Sequence, residues 1–385
     1  MKSYTVQTGD TLESIAIRFL YRSALAYKIR QVNNLPGNTV YPGQVLKIPK
    51  IEQIEQREYA DIIIIVDGKE LAQTPPITIQ SAINTIAPGF SFDFPINEAV
   101  SGIFKPFGFE KIDIYYNNYP VLSGYVDSYA PRSEEKTATI SGFGKSQILA
   151  ECNFPPASYP RTFYNSTLEK IIKKLIDPFN IDVTIDDDAK SGASEKFQKA
   201  EIPVTENIAN FIVELAKQKG LIVYGDNTGG IVLKNEYVDT EKILKLEGTP
   251  GVAEYTGSGI FSDYTCLKNA NSAGGSQTAR NKIKIDEFRS KVFEMRNIQT
   301  ESLEKNIKRE MKADLINSHK LSISLPYVTD INGDLITINK QIYYKNDDLF
   351  ADDDYIITAT THDFSATEQK VTCDLVPTRF LEGKI

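Results

Sequence analysis

The sequence predicts an α+β chain, mainly β: an N-terminal βααβ module, then two small antiparallel β-barrel-like domains with an inserted α/β module. Three observations lead there. Short β-branched and aromatic runs punctuated by turn residues recur over 59–144 and again over 320–375, the pattern of small antiparallel barrels. Two strong helical stripes with their own strands lie between them. The first fifty residues form a separate strand–helix–helix–strand pattern. A chain of 385 residues has room for two to four domains. The expected division is 1–50 for the first module, 51–57 (IEQIEQR) for a linker and 58–150 for the first β domain. The α/β module then spans 151–240, and 241–385 holds the second β region with a long helix.

In the first module Tyr4 and Val6 alternate with polar residues, as in a half-buried strand. Gly9-Asp10 turns the chain, and Thr11 is placed to cap a helix carrying Leu12, Ile15, Ala16 and Phe19. A second helix carries Leu25, Ile29 and Val32. Pro42-Gly43 then turns into a strand over 45–48.

In the first β domain, residues 61–66 (DIIIIV) run into Asp67-Gly68, a strong hairpin signal. Further strands are expected at 77–83, at 90–94 with its clean alternation Phe90, Phe92, Phe94, and at 111–116, 121–129 and 137–141. In the α/β module Leu168, Ile171, Ile172, Leu175, Ile176 and Phe179 make an apolar helical stripe. Ser166 and Glu169 form its expected capping box, and Pro178 closes it. A strand at 181–185 follows. A helix with Ile208, Phe211, Ile212, Leu215 and Ala216 is stopped by Gly220, and a hairpin joins 221–224 to 231–234. In the last region 272–276 reads as a loop and 300–317 as a long charged helix. Strands are expected at 320–325, 335–338, 341–344, 354–360 and 370–375.

The net charge of −8, without a long basic run, argues against nucleic acid as the main partner. No apolar run approaches the roughly twenty residues a membrane-spanning helix needs. Met1-Lys2-Ser3-Tyr4 leads directly into the first strand, so no export signal is expected. Cys152, Cys266 and Cys373 are far apart and unpatterned, as buried thiols of a protein made in a reducing cytosol would be. His319 and His362 are isolated and read as surface or interface side chains rather than acid–base catalysts. The run 142–146 (GFGKS) resembles the end of a phosphate-binding loop but lacks its glycine spacing, and reads as a turn. The acidic runs 186–188, 347–348 and 352–354 lack the interleaved spacing of a calcium loop and read as solvated loops. Tyr115, Tyr116 and Tyr119 read as barrel packing rather than a sugar platform. No catalytic set, metal site or cofactor is expected.

Two resemblances add to this reading. Residues 4–16 (YTVQTGDTLESIA), Asn33-Asn34 and 40–49 (VYPGQVLKIP) resemble the LysM family, whose pattern is YxVxxGDTLxxIA followed by N and YPGQxLxIP. The resemblance implies binding of N-acetylglucosamine chains such as peptidoglycan. The groove would lie between one loop holding Gly9, Asp10, Thr11 and Leu12 and another holding Asn34, Leu35, Pro36 and Gly37. The middle of the module, 20–27, is longer than in short members of the family. Residues 58–385 resemble the central baseplate hub of Mu-type contractile phages, a plan shared with the P2 late-control tail protein and the T-even hub. The resemblance rests on the order of 121–127 (VLSGYVD), 140–152 (ISGFGKSQILAEC), 178–181 (PFNI), 220–226 (GLIVYGD), 354–359 (DYIITA) and 375–380 (LVPTRF).

The second resemblance implies a non-enzymatic homotrimer. Two similar barrels per copy would arrange as six around a channel, adapting a threefold spike to a sixfold tail tube. Implied partners are the spike, the tube, and other baseplate or tape-measure proteins. DNA would pass the bore without specific binding, and the protein would sit in the virion tail after assembly in the host cytoplasm. The LysM-like module would bind peptidoglycan or serve as an assembly clamp. The alternative is a peptidoglycan-binding accessory protein or wall hydrolase.

Overall fold

The computed structural model describes residues 2–7, 10, 12, 15–16, 19, 26–33, 35, 39–48, 62–71, 74–96, 102–117, 119–154, 161–235, 242–248, 251–268, 276–280, 288–294, 303–330, 333–365 and 368–381. The expected linker 51–57 and the loop residues 272–275 lie outside them. In the first module β1 (Lys2–Thr5) pairs antiparallel with β2 (Val45–Ile48), Tyr4 opposite Leu46. Helix α1 (Ala26–Val32) places Ile29 beside Val6, Leu12, Ile15, Leu46 and Ile48 in a small core of its own.

The next strands are β3 (Ile62–Val66), β4 (Lys69–Glu70), β5 (Ile77–Ala82), β6 (Gly89–Pro95), β7 (Lys111–Tyr116), β8 (Tyr119–Arg132) and β9 (Thr137–Gly144). Asp67 and Gly68 both take positive φ, 47° and 77°, as a two-residue turn matched to strand twist requires. The α/β module follows, with β10 (Thr162–Thr167), α2 (Leu168–Ile176), β11 (Val183–Ile185), β12 (Lys196–Glu201), α3 (Ile208–Gln218), β13 (Leu221–Gly225) and β14 (Ile231–Asn235). Strands β11, β14 and β13 form a three-stranded sheet, and α2 and α3 bury their apolar stripes in a second core. The helix caps are Thr167, accepting from Lys170 N–H, and Asn207, accepting from Asn210 N–H. Ser166, expected as the cap of α2, is still in β10 opposite Phe197, so the helix starts one residue later.

The chain returns to the large sheet with β15 (Lys242–Glu247) and β16 (Val252–Gly257). A three-stranded side sheet of β17 (Asp263–Leu267), β18 (Ser276–Arg280) and β19 (Ser290–Glu294) is packed by α4 (Leu303–Ser318). Strands β20 (His319–Leu325), β21 (Gln341–Asn346), β22 (Ala351–Phe364) and β23 (Gln369–Pro377) complete it. The expected strand at 335–338 does not form. Leu335 makes one isolated bridge with Thr329, Asn339 turns the chain at φ 59°, and Ile336 is pressed into the core.

The main sheet repeats itself. Strands β5–β6–β9–β8–β7 run in the order of β16–β20–β23–β22–β21. The register agrees pair for pair: Val126 opposite Gly142 answers to Ile357 opposite Leu375, Phe90 opposite Gly142 to Leu321 opposite Leu375, and Lys111 opposite Tyr125 to Gln341 opposite Ile356. Strands β8 and β22 are both 14 residues long. Both bear a bulge at the same place, between Val126 and Ser128 and between Ile357 and Ala359. The correspondence reaches side chains, since Thr139 donates to Asp93 as Thr372 donates to Ser324.

The two units therefore match, but no sheet closes on itself among the described residues. Strand β21 covers only residues 351–356 of β22, and residues 359–364 take β5 of the other unit as neighbour, Ala359 opposite Ala82 through Phe364 opposite Ile77. That joint makes one open 13-stranded sheet over one continuous core that includes Ile64, Phe92, Ile140, Ile323, Tyr344 and Leu375.

Candidate functional site

In the first module the loop after β1 is held by Asp10. Its Oδ2 accepts from Tyr4 O–H at 2.6 Å and from Gln7 N–H at 2.7 Å, so this carboxylate fixes the loop against the strand. Leu12 is fully buried, which leaves only its backbone for the groove. Leu35 is half-buried against the same core, its N–H donating to Arg30 C=O at 3.0 Å. Gly9, Thr11, Asn34, Pro36 and Gly37 lie outside the described residues. Asn33 entered the sequence reading only as part of the LysM pattern, with no contact assigned to it. Its side-chain N–H donates to Ile29 C=O at 2.7 Å and Lys47 C=O at 2.8 Å, and its oxygen accepts from Lys47 N–H at 2.7 Å. One amide thus ties α1 to β2. A side chain that can satisfy a backbone N–H and a backbone C=O together is the readable signal for such a clamp.

The α/β module is fixed to the first unit by backbone. Asn84 N–H donates to Val223 C=O at 2.8 Å and Gly225 N–H to Thr85 C=O at 3.2 Å. A Cβ on Gly225 would stand 2.5 Å from Ile86 C=O, so this approach needs glycine. Residues 142–144 of the phosphate-loop-like run are the end of β9 rather than a turn, and 145–147 form a single 3₁₀ turn. Lys145 donates to Asn180 C=O at 2.6 Å and buried Ser146 to Ile86 C=O at 2.6 Å, so both serve the same junction.

The histidines are interior rather than superficial. His362 is buried, its Nε2 lies 2.8 Å from Ile336 C=O, and its ring stacks on Phe364. Burial pushes its pKa down to about 4. His319, half-buried among Tyr255, Tyr355 and Phe380, is likewise pushed to about 4, by burial and then by Arg379. Neither ring holds a carboxylate partner of the kind that poises a general base near neutrality. The thiols are free. Cys266 and Cys373 are buried and Cys152 is half-buried, and burial pushes Cys373 up to about 12. Asp352, Asp353 and Asp354 lie in β22 rather than a loop, with Lys345 at 3.4 Å, Arg379 at 3.1 Å and Lys242 at 2.8 Å respectively. Tyr116 is buried as packing requires, whereas Tyr119 is 62% exposed. Among the described residues no three His, Cys, Asp or Glu side chains gather where they could hold a metal ion, and no helix is long and apolar enough to cross a membrane.

The described residues thus give a small module with its own core and a duplicated sheet with an α/β module bolted to its first unit. Parts of the chain are similar to known proteins. The LysM domain profile matches residues 4–49, and the profile of the second domain of baseplate hub protein gp44-like matches residues 146–235. The 43 kDa tail protein of prophage MuSo2 from Shewanella oneidensis superposes with a TM-score of 0.72 at 20% identity, over 83% of this chain and 99% of that one. This is the fold of phage tail proteins. The tail protein from Neisseria meningitidis MC58 gives 0.69 at 15% identity, over 82% and 96%. The E. coli c3393 protein, a component of the type VI secretion system, gives 0.50 at 10%, over 82% and 76%. No curated protein matches the sequence. The chain therefore joins a LysM domain to a tail-protein fold that carries a gp44-like second domain.

Proposed function

We propose that the chain is the hub of a contractile tail baseplate, acting as a structural rather than catalytic protein. Three copies form a ring of six β units, which meets a threefold spike on one side and a sixfold tail tube on the other. The duplicated ladder carries this reading, because a chain with two matched units is what converts threefold into sixfold order. The α/β module, within the division 1–50, 58–150, 151–240 and 241–385, lies on the ring's outside facing other baseplate or tape-measure proteins. DNA passes the bore unbound, and the net charge of −8 suits such a lining. The protein is assembled in the host cytoplasm and resides in the virion tail.

The LysM domain binds peptidoglycan between the loop of Gly9, Asp10, Thr11 and Leu12 and the loop of Asn34, Leu35, Pro36 and Gly37, or docks a tail protein there. Light scattering and negative-stain imaging of the full chain test the hub reading: a trimeric ring with a bore is expected, and a monomer at micromolar concentration overturns it. Chitooligosaccharide titration separates the two LysM roles, since chemical-shift changes at Asp10 and Leu35 indicate glycan and silence at millimolar sugar indicates docking.

A further inference from the structure

The joint between β5 and β22 has a twin that is left open. Strand β8 answers to β22, yet β7 covers only residues 119–125 of it. Beyond the bulge, Ser128, Ala130, Pro131 and Arg132 are exposed, and Tyr129 is half-buried. In β22 the matching stretch buries Thr360, His362 and Phe364, because β5 lies beside it. Strand β16 answers to β5 and, among the described residues, pairs only with β20. It too is more open: Tyr255 is 41% exposed where the matching Ile79 of β5 is buried, and Ala253 is half-buried where the matching Ile77 is buried. Each chain therefore carries one filled joint and the two separated halves of a second.

Resting on the hub reading, we propose that these halves meet between copies: the outer part of β8 in one chain pairs antiparallel with β16 of the next, in the register of the β5–β22 joint. Carrying that register across places Ser128 opposite Ser258, Ala130 opposite Thr256, Pro131 opposite Tyr255 and Arg132 opposite Glu254. In the filled joint the pair equivalent to Arg132 and Glu254 is Asp363 and Thr78, which are hydrogen-bonded at 2.6 Å. The open joint thus replaces a polar cross-strand contact with opposite charges, the complementarity a docking edge needs. Within its own chain Arg132 reaches exposed Glu135 at 3.2 Å, a surface pair easily shared with a second carboxylate. Pro131 supplies no N–H to the new ladder. It also blunts the edge against indiscriminate pairing in the free chain, leaving the charge pair to select register. The contact is head-to-tail, so alternating filled and new joints closes a ring of three chains and six units when each joint turns by about one sixth of a full turn.

The test uses the full chain. Arg132→Glu and Glu254→Arg each raise the concentration at which the trimer half-dissociates by about tenfold. The double variant restores it, and Glu135→Gln leaves it unchanged. Ala130→Cys with Thr256→Cys, oxidised, yields covalent trimers on non-reducing gels, while either single variant does not. Trimers that form normally, ignore the charge changes and fail to cross-link overturn this joint and leave the hub reading standing. A chain that stays monomeric overturns both.

Discussion

The two β units of this chain share a ladder and differ in everything hung upon it. Unit one passes from β5 to β6 through the short loop 83–88, whereas unit two places a side sheet and α4 between β16 and β20. Unit one faces its core with Phe90, Phe92 and Phe94; Phe90 stacks on Phe92, and Phe92 and Phe94 meet each other and Phe104. Unit two uses Leu321, Ile323 and Leu325 at the same positions. Both histidines belong to unit two. The difference teaches that backbone register and the bulge persist as the framework, while core identity, insertions and titrating groups are free to diverge so long as the inward parity is kept.

Packing substitutions test that claim most severely. Phe92→Ala in unit one should cost about 3–5 kcal/mol and Ile323→Ala in unit two about 2–5 kcal/mol, read by urea unfolding. The single core shared by both units should make the two units unfold together in each variant. Loss of one unit's strands in urea before the other's would show that the units are independent.

Acid should strike the units unequally. The folded pKa of His362 is about 4 against an unfolded value of 6.5, so the unfolded chain binds the proton more readily. Its contribution is complete above pH 6.5 and declines as pH falls toward 4, a loss on the order of 3 kcal/mol for a fully buried ring. His319 shifts the same way, with a smaller effect because it is partly open to solvent. Hydrogen exchange at pH 5 should rise around β20 and β22 before β6 and β8. His362→Gln should flatten the pH profile, and an unchanged profile in that variant would refute a histidine origin.

A further substitution probes the module joined to unit one. Gly225→Ala forces a Cβ against Ile86 C=O and should cost about 1–3 kcal/mol. Faster exchange at the Gly225 and Asn84 amides would locate the damage at the junction, and unchanged protection there would refute the assignment. The smallest effect belongs to the joint itself. Thr78→Val removes the hydrogen bond to Asp363 and should cost about 1 kcal/mol in chemical denaturation. Glu254→Ala, at the matching position on the open edge, should change the stability of the free chain by less than about 0.5 kcal/mol.

Much of the fold was legible because it is written locally. The alternation of Phe90, Phe92 and Phe94, the Asp67-Gly68 turn and the stripes of α2 and α3 are short-range signals, and each element stands where its pattern put it. Pairing across the sequence was not legible. Nothing near Ile79 indicates that it will lie opposite His362, since parity fixes which side chains face inward but not which strand arrives alongside. The register-by-register repeat was hidden for the same reason: Phe92 and Ile323 share burial, not identity. His362 could have been placed by parity, as it alternates with Thr360 and Phe364, yet its polarity pointed outward until a backbone acceptor was found for it. In the groove, the burial of Leu12 followed from helical spacing. The clamp by Asn33 did not, because its partner Lys47 comes from β2.

The filled joint also imposes an order on biosynthesis. Thr78 and Asp363 are 285 residues apart, so β5 leaves the ribosome long before the strand that will cover it. During that interval the first ladder exposes a bare edge of isoleucines, while the α/β module, whose contacts are local, can complete itself. A newborn chain is therefore most prone to clumping just before its last hairpin emerges, and slowing translation upstream of β22 should lower the yield of soluble protein.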